Sequence, residues 1–167
     1  EELGIITSLV NPKMLHLYDI RATDLSSLSA LTNTEILDFD WNTKATSLWD
    51  ISSNLSLKAL SINDFSKLND ISSLENNNSL EILDMSGGNS KPLRLDNLKP
   101  LGTLKQVKFL GLSNLKVLDE SLEPLSSLKT LQRLEISNQF PTEEYAKLSM
   151  RLTQTKCDKF NAYVHLC

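Results

Sequence analysis

The chain has 167 residues, of which 33 are leucine and only five each are glycine and proline. That much leucine excludes a disordered chain, and so little Gly and Pro excludes collagen-like or linker composition. A formal net charge of -4 without a basic cluster argues against nucleic acid as a partner, and the apolar runs are too short to span a bilayer.

The chain opens on Glu1 rather than Met, which suggests a processed or excised fragment. Ile6, Leu9, Pro12, Leu15 and Leu17 then fall at intervals of three, closing on a step of two. The same phrase returns along the chain. Its closing triplets are Leu15-His16-Leu17, Leu37-Asp38-Phe39, Leu60-Ser61-Ile62, Leu83-Asp84-Met85, Leu110-Gly111-Leu112 and Leu134-Glu135-Ile136. Their first leucines are spaced by 22, 23, 23, 27 and 24 residues. Ahead of the fifth triplet stand Leu98, Leu101, Leu104 and Val107, and ahead of the sixth stand Leu122, Leu125, Leu128 and Leu131. An apolar-x-apolar triplet puts both apolar residues on one face of a strand. A run spaced by three suits a 3₁₀-like return, in which every third residue shares a side. No repeat can bury its leucines alone, so stacking is required.

These phrases resemble the leucine-rich repeat, L-x-x-L-x-L-x-x-N/C-x-L, over about residues 5–140. Asp24-Leu25-Ser26-Ser27-Leu28, Asp50-Ile51-Ser52-Ser53 and Asp70-Ile71-Ser72-Ser73-Leu74 resemble the returns of bacterial, internalin-like repeats. The resemblance implies an α/β solenoid with parallel strands on a concave face and short helical or 3₁₀ returns on the convex face. Residues 1–140 are then about six repeats, and residues 141–167 a C-terminal cap of helix plus terminal strand. One departure stands out. The family's Asn/Cys position holds Ile20, Asn42, Phe65, Gly88, Leu115 and Gln139, so only Asn42 can contribute to a buried asparagine ladder.

In the cap, residues 141–154 read as an amphipathic helix with Thr142 as N-cap, Glu143 and Glu144 in the first turn, and Tyr145, Leu148 and Leu152 on one face. Cys157, 23 residues past Leu134, falls in phase with a seventh strand. A Cys157–Cys167 bridge would staple the cap and imply an oxidising compartment. At the other end the chain starts inside a repeat without a polar cap. Solenoids normally need such caps, so an upstream segment, another domain or a subunit is expected to cover that edge.

The sequence holds no nucleophile elbow, phosphate loop, dinucleotide fingerprint or zinc motif. Residues 38–42, DFDWN, mimic the start of a calcium loop but lack its glycine, where Thr43 stands, and its twelfth-position Glu, where Trp49 stands. No catalytic residue, metal or cofactor is therefore expected, and the function read here is binding.

The resemblance makes the strand face the binding surface. Before the first leucines stand Met14, Ile36, Ala59, Ile82, Phe109 and Arg133, an almost continuous apolar column. Between the apolar pairs stand His16, Asp38, Ser61, Asp84, Gly111 and Glu135. Tyr18, Asp40, Trp41 and Asp64 follow just after the strands. Extra residues fall at 41–47 and 86–92, where Trp41 is expected to anchor one loop and Gly87-Gly88 to make the other flexible. Aligned apolar residues beside carboxylates suit a partner protein with a basic and apolar surface. Two alternatives remain open: a regulatory or substrate-targeting domain of a larger effector or enzyme, docking in cis, and a carbohydrate or small-ligand binder using Trp41, Tyr18 and the acidic band.

Overall fold

The computed structural model describes residues 2–89 and 91–161. Each of the six triplets becomes a strand: β1 (Met14–Tyr18), β2 (Ile36–Asp40), β3 (Ala59–Asn63), β4 (Ile82–Ser86), β6 (Phe109–Ser113) and β8 (Arg133–Ile136). They lie in the order β1-β2-β3-β4-β6-β8, all parallel and without a register slip, so Leu15, Leu37, Leu60, Leu83, Leu110 and Leu134 align. Two short strands, β5 (Leu93–Leu95) and β7 (Leu115–Val117), pair in a second parallel sheet beside the first.

The period of three has a direct backbone cause. Leu28 N–H donates to Leu25 O and Leu31 N–H to Leu28 O; Leu101 repeats this with Leu98, and Leu104 with Leu101. Each leucine's amide thus binds the carbonyl of the leucine three before it, and all of them point into the core. The returns form 3₁₀ turns at Ser26–Ala30, Ile51–Ser53, Ser72–Leu74, Leu101–Thr103 and Glu123–Ser127. Asp24, Asp50 and Asp70 start three of them by accepting the amides of Ser26, Ser52 and Ser72 at 2.8, 3.1 and 2.9 Å. Hydrogen bonds from these serines hold all three carboxyls below the usual range. In the last return Ser121 stands in the aspartate's place and accepts the Glu123 amide at 3.2 Å, while Glu144 of the cap takes the neighbouring Leu122 amide at 2.8 Å.

The core runs unbroken from Leu3 to Phe160. Phe65, at one of the family's Asn positions, packs edge-on against Phe39 with ring centroids 4.9 Å apart. Asn42 is fully buried and satisfied locally, donating to Ala22 O and accepting from the Lys44 and Ala45 amides. No asparagine ladder forms from it, as the departure from the family pattern implied. A second buried asparagine was not singled out in the sequence: Asn54 donates to Leu28 O and Leu31 O and accepts from the Trp49 indole.

Both ends differ from expectation. Residues Glu2–Leu9 form a helix, α1, rather than a period-three return. Leu3 and Thr7 are buried and Ile6 is half-buried, while Leu9, expected inside, is 77% exposed. Apolar residues at 3, 6, 9 and 10 satisfy both a 3₁₀ and an α spacing, and Thr7, which bonds back to Leu3 O, completes the i, i+4 face. At the other end α2 (Thr142–Arg151) buries Tyr145, Leu148 and Leu152 as expected. Its N-cap is Pro141 rather than Thr142, which is already the first helical residue, and no side chain caps it. The seventh strand reduces to a single bridge, Arg133 to Lys156, before the chain turns into α3 (Asp158–Asn161). Cys157 is buried there, and burial pushes its thiol up; Cys167 lies outside the described residues. Among the described residues no helix is long and apolar enough to cross a membrane.

Leu83→Ala empties a fully enclosed site in β4 and should lower unfolding free energy by about 2–5 kcal/mol in urea melts. Leu9→Ala, on the outer side of α1, should change it by less than about 0.5 kcal/mol. A core-sized loss at Leu9 would restore the period-three reading of that end.

Candidate functional site

Register turns the sequence columns into rows across the sheet. Met14, Ile36, Ala59, Ile82, Phe109 and Arg133 are successive partners, as are His16, Asp38, Ser61, Asp84, Gly111 and Glu135. Met14, Ile36 and Ile82 are exposed, and Ala59 and Phe109 half-exposed. The apolar row spans five adjacent strands, about 19 Å at ~4.8 Å per step.

At the β1 end the second row closes into a cluster. His16 Nδ1 lies 3.3 Å from Asp38 and Nε2 lies 3.5 Å from Asp40, so the imidazole sits between two carboxylates two residues apart on β2. Their donor atoms lie within 4.8 Å of one another, the one grouping of metal-donor type among the described residues. Asp38 Oδ1 is enclosed and accepts no hydrogen bond from them. Asp40 is held further by the Asn63 amide, which in turn accepts the Ser86 hydroxyl.

The strand exits explain the next column. Asp19, Trp41, Asp64 and Asn114 occupy equivalent positions, and all have φ between 49° and 60°. Asp and Asn tolerate this left-handed turn, but a bulky residue there is strained. Trp41 is that residue. Its amide still donates to Asn63 O at 2.9 Å, matching Asp19 to Asp40 O and Asp64 to Ser86 O. The indole meets Tyr18 edge-on at 5.8 Å and carries the Arg21 guanidinium 5.7 Å from its centre, while Arg21 also pairs with Asp19. Two expected residues, Tyr18 and Trp41, thus fall together with an unexpected cation.

The other members separate. Asp64 turns away from the acidic row to lie against Gly88, where a Cβ would run into its carboxylate. Gly87 and Gly88, expected to confer flexibility, serve close approach instead. A Cβ at Gly87 would strike backbone of residues 91, 93 and 114, and Asn114 donates to Gly88 O at 2.6 Å. Gly88 accordingly bridges Lys91 just ahead of β5, and the extra residues at 41–47 fold inward, with Ala45 buried and Ser47 bridging Asp70. At the far end Arg133 pairs with Glu135.

One feature was overlooked although it stands in the sequence. Two residues before the first five of these leucines come Lys13, Glu35, Lys58, Glu81 and Lys108, strictly alternating in charge, before Gln132 ends the series. Lys13 pairs with Glu35 at 3.0 Å and Lys108 with Glu81. These two pairings first, and then the charge of Lys58, hold both glutamates below the usual range. Aligning the triplets would have exposed this ladder, which borders the apolar row.

Asp84 has the opposite character. Burial, then the charges of Glu135 and Asp38, push its carboxyl above the ordinary range. A carboxyl raised in the folded state favours folding only when protonated, so its charge opposes folding above the unfolded value near 3.9. Asp84→Asn should raise the melting temperature near pH 7, and the gain should vanish as pH falls below that value. A lower melting temperature near pH 7 would contradict this.

No protein-family model matches the chain, and no curated protein matches it in sequence. Solved structures do. An internalin from Listeria monocytogenes superimposes with a TM-score of 0.70 at 20% identity over 91% of this chain. A leucine-rich-repeat protein from Leptospira interrogans gives 0.60 at 21% over 93%. This chain spans 42% and 45% of those two chains, less than half of each. In-register parallel triplets, 3₁₀ returns and these superpositions together establish the leucine-rich-repeat fold, in the form that the internalin structure shares.

Proposed function

We propose that the chain is a binding module, without catalytic activity of its own, that recognises another protein through the concave strand face and its margins at 41–47 and 86–92. The observation that carries this reading is the exposed apolar row set in register beside a carboxylate row. Contiguous exposed apolar surface rimmed by polar groups marks interaction sites. The partner surface is accordingly apolar in one strip and basic beside it, meeting Ile36, Ile82 and Phe109 with the first and Asp38, Asp40, Asp84 and Glu135 with the second. Trp41 and Tyr18 would anchor one end, since aromatic residues concentrate binding energy. His16, Asp64 and Arg133 border the contact.

A second reading is a targeting domain that docks on a neighbouring domain of a longer chain. One observation favours it: α1 leaves Ile5, Leu9 and Val10 exposed, next to Met14. In that case Ile5→Asp with Leu9→Asp should separate the two domains in small-angle scattering of the longer chain, and an unchanged profile would remove this reading.

Affinity capture from native lysate tests the first. Asp38→Lys with Asp84→Lys should cut recovery of the captured partner by about tenfold or more without lowering the melting temperature. Unchanged recovery would move the site off this face. Trp41→Asn should also cut capture by about tenfold while leaving stability equal or higher, because Asn suits the left-handed turn that Trp strains. Full capture by that variant would remove Trp41 from the contact.

A further inference from the structure

The C-terminal third of the strand face is not flat. A groove of about 760 Å³ opens there, walled by Asp84, Ser113, Arg133, Glu135 and Lys156 and floored by Gly111. Gly111 is the one glycine in the six triplets. Its φ is not in the left-handed region, so backbone conformation does not demand it. Space does. A Cβ at residue 111 would run into the Asp84 carboxylate and stand 3.3 Å from Cε1 of Phe109. Asp84 therefore leans across bare backbone of β6, half-buried, with an aromatic ring at its flank and Glu135 on the next strand.

Two features here weaken the fold. A glycine inside a strand gives up packing and side-chain restraint. A partly desolvated carboxylate needs a compensating positive charge. Three basic residues line the groove, yet none forms an ion pair with Asp84. Arg133 is engaged by Glu135, and a hydrogen bond from the Met85 amide opposes the upward push on Asp84. The groove is thus built around an anion that no cation of the described residues neutralises.

Resting on the binding reading above, we propose that the Asp84–Gly111–Glu135 slot receives the guanidinium of an arginine on the partner protein. The flat backbone at Gly111 and the edge of Phe109 admit a planar group, and Asp84 and Glu135 flank it from β4 and β8. Guanidinium is planar, weakly hydrated and forked, whereas the lysine ammonium is compact and loses more hydration in a half-buried slot.

Amide NMR with N-acetyl-arginine methylamide and its lysine and citrulline counterparts tests this on the chain as it stands. Arginine should give saturable shifts at Gly111 and Phe109 with a dissociation constant on the order of millimolar. Lysine should bind about fivefold or more weakly, and neutral citrulline should give no saturable shift. Asp84→Asn and Gly111→Ala should each weaken arginine about tenfold, the first by removing the charge and the second by displacing it. Asp96→Asn, beyond β5, should leave it unchanged. Equal binding of lysine or citrulline, or undiminished arginine binding in Asp84→Asn, would overturn the proposal. If capture responds to the charge reversals while arginine does not bind, the slot fails and the wider face survives; the converse pattern spares the slot alone.

Discussion

Everything on the strand face depends on one backbone arrangement. The carbonyls of Lys13, Glu35, Lys58, Glu81 and Lys108 each accept two amides from the next repeat, at distances between 2.7 and 3.1 Å. This doubled bond fixes where each strand begins, and a one-residue slip would exchange the core and surface faces. At the strand exits, single bonds such as Trp41 to Asn63 O and Gly87 to Ser113 O hold the same register. With both ends of each strand pinned, side chains about 23 residues apart are brought to about 4.8 Å spacing. Rows, ion-pair ladder and groove all follow from that alignment.

Because register repeats, the solenoid's interior was legible in the sequence. The buried leucines of the returns and strands sit where period and phase put them, and the 3₁₀ geometry was implied by the interval of three. Elements that do not repeat were read less well. The N-terminal apolar spacing fits two kinds of helix, and only packing against the first return decides between them. At Ser121 a hydroxyl takes the place of the capping aspartate, and Glu144, 23 residues on, accepts both that hydroxyl and the next amide, contacts that no local pattern announces. Gly87 and Gly88 looked like hinge residues because composition does not reveal what stands opposite a missing Cβ. The surface columns were legible as alignments, but their pairings were not. His16 between two aspartates, Asp64 against Gly88 and Arg21 over Trp41 depend on rotamers and loop paths.

The same repetition separates residues that maintain the fold from residues that do not. At the strand exit the left-handed turn asks for Asp, Asn or Gly and finds Asp19, Asp64 and Asn114. It finds Trp41 once. In the central row it asks for a polar residue with room above it, and at Asp84 it finds a carboxylate pressed over a glycine. Departures of this kind work against stability, and real proteins concentrate them at functional sites. Both lie on the strand side of the solenoid, one near each end of the row of exposed apolar residues.

That placement bears on how the face would discriminate among partners. The apolar row alone accepts any hydrophobic strip, and apolar contact distinguishes shapes poorly. Charges set at both ends change this. At the β1 end His16 already stands between Asp38 and Asp40, so a basic group arriving there must share those carboxylates with an imidazole. At the β6 end Asp84 has no such neighbour and is partly desolvated beforehand. A cation entering that slot meets a carboxylate that has already lost water, so less of the attraction is offset by stripping hydration on binding. A neutral or acidic partner would instead leave Asp84 buried deeper and still unpaired, which disfavours it more than a missing contact would. On the proposed binding reading, the selectivity of the face would reside in the groove end, with the apolar row supplying contact area to whatever the groove admits.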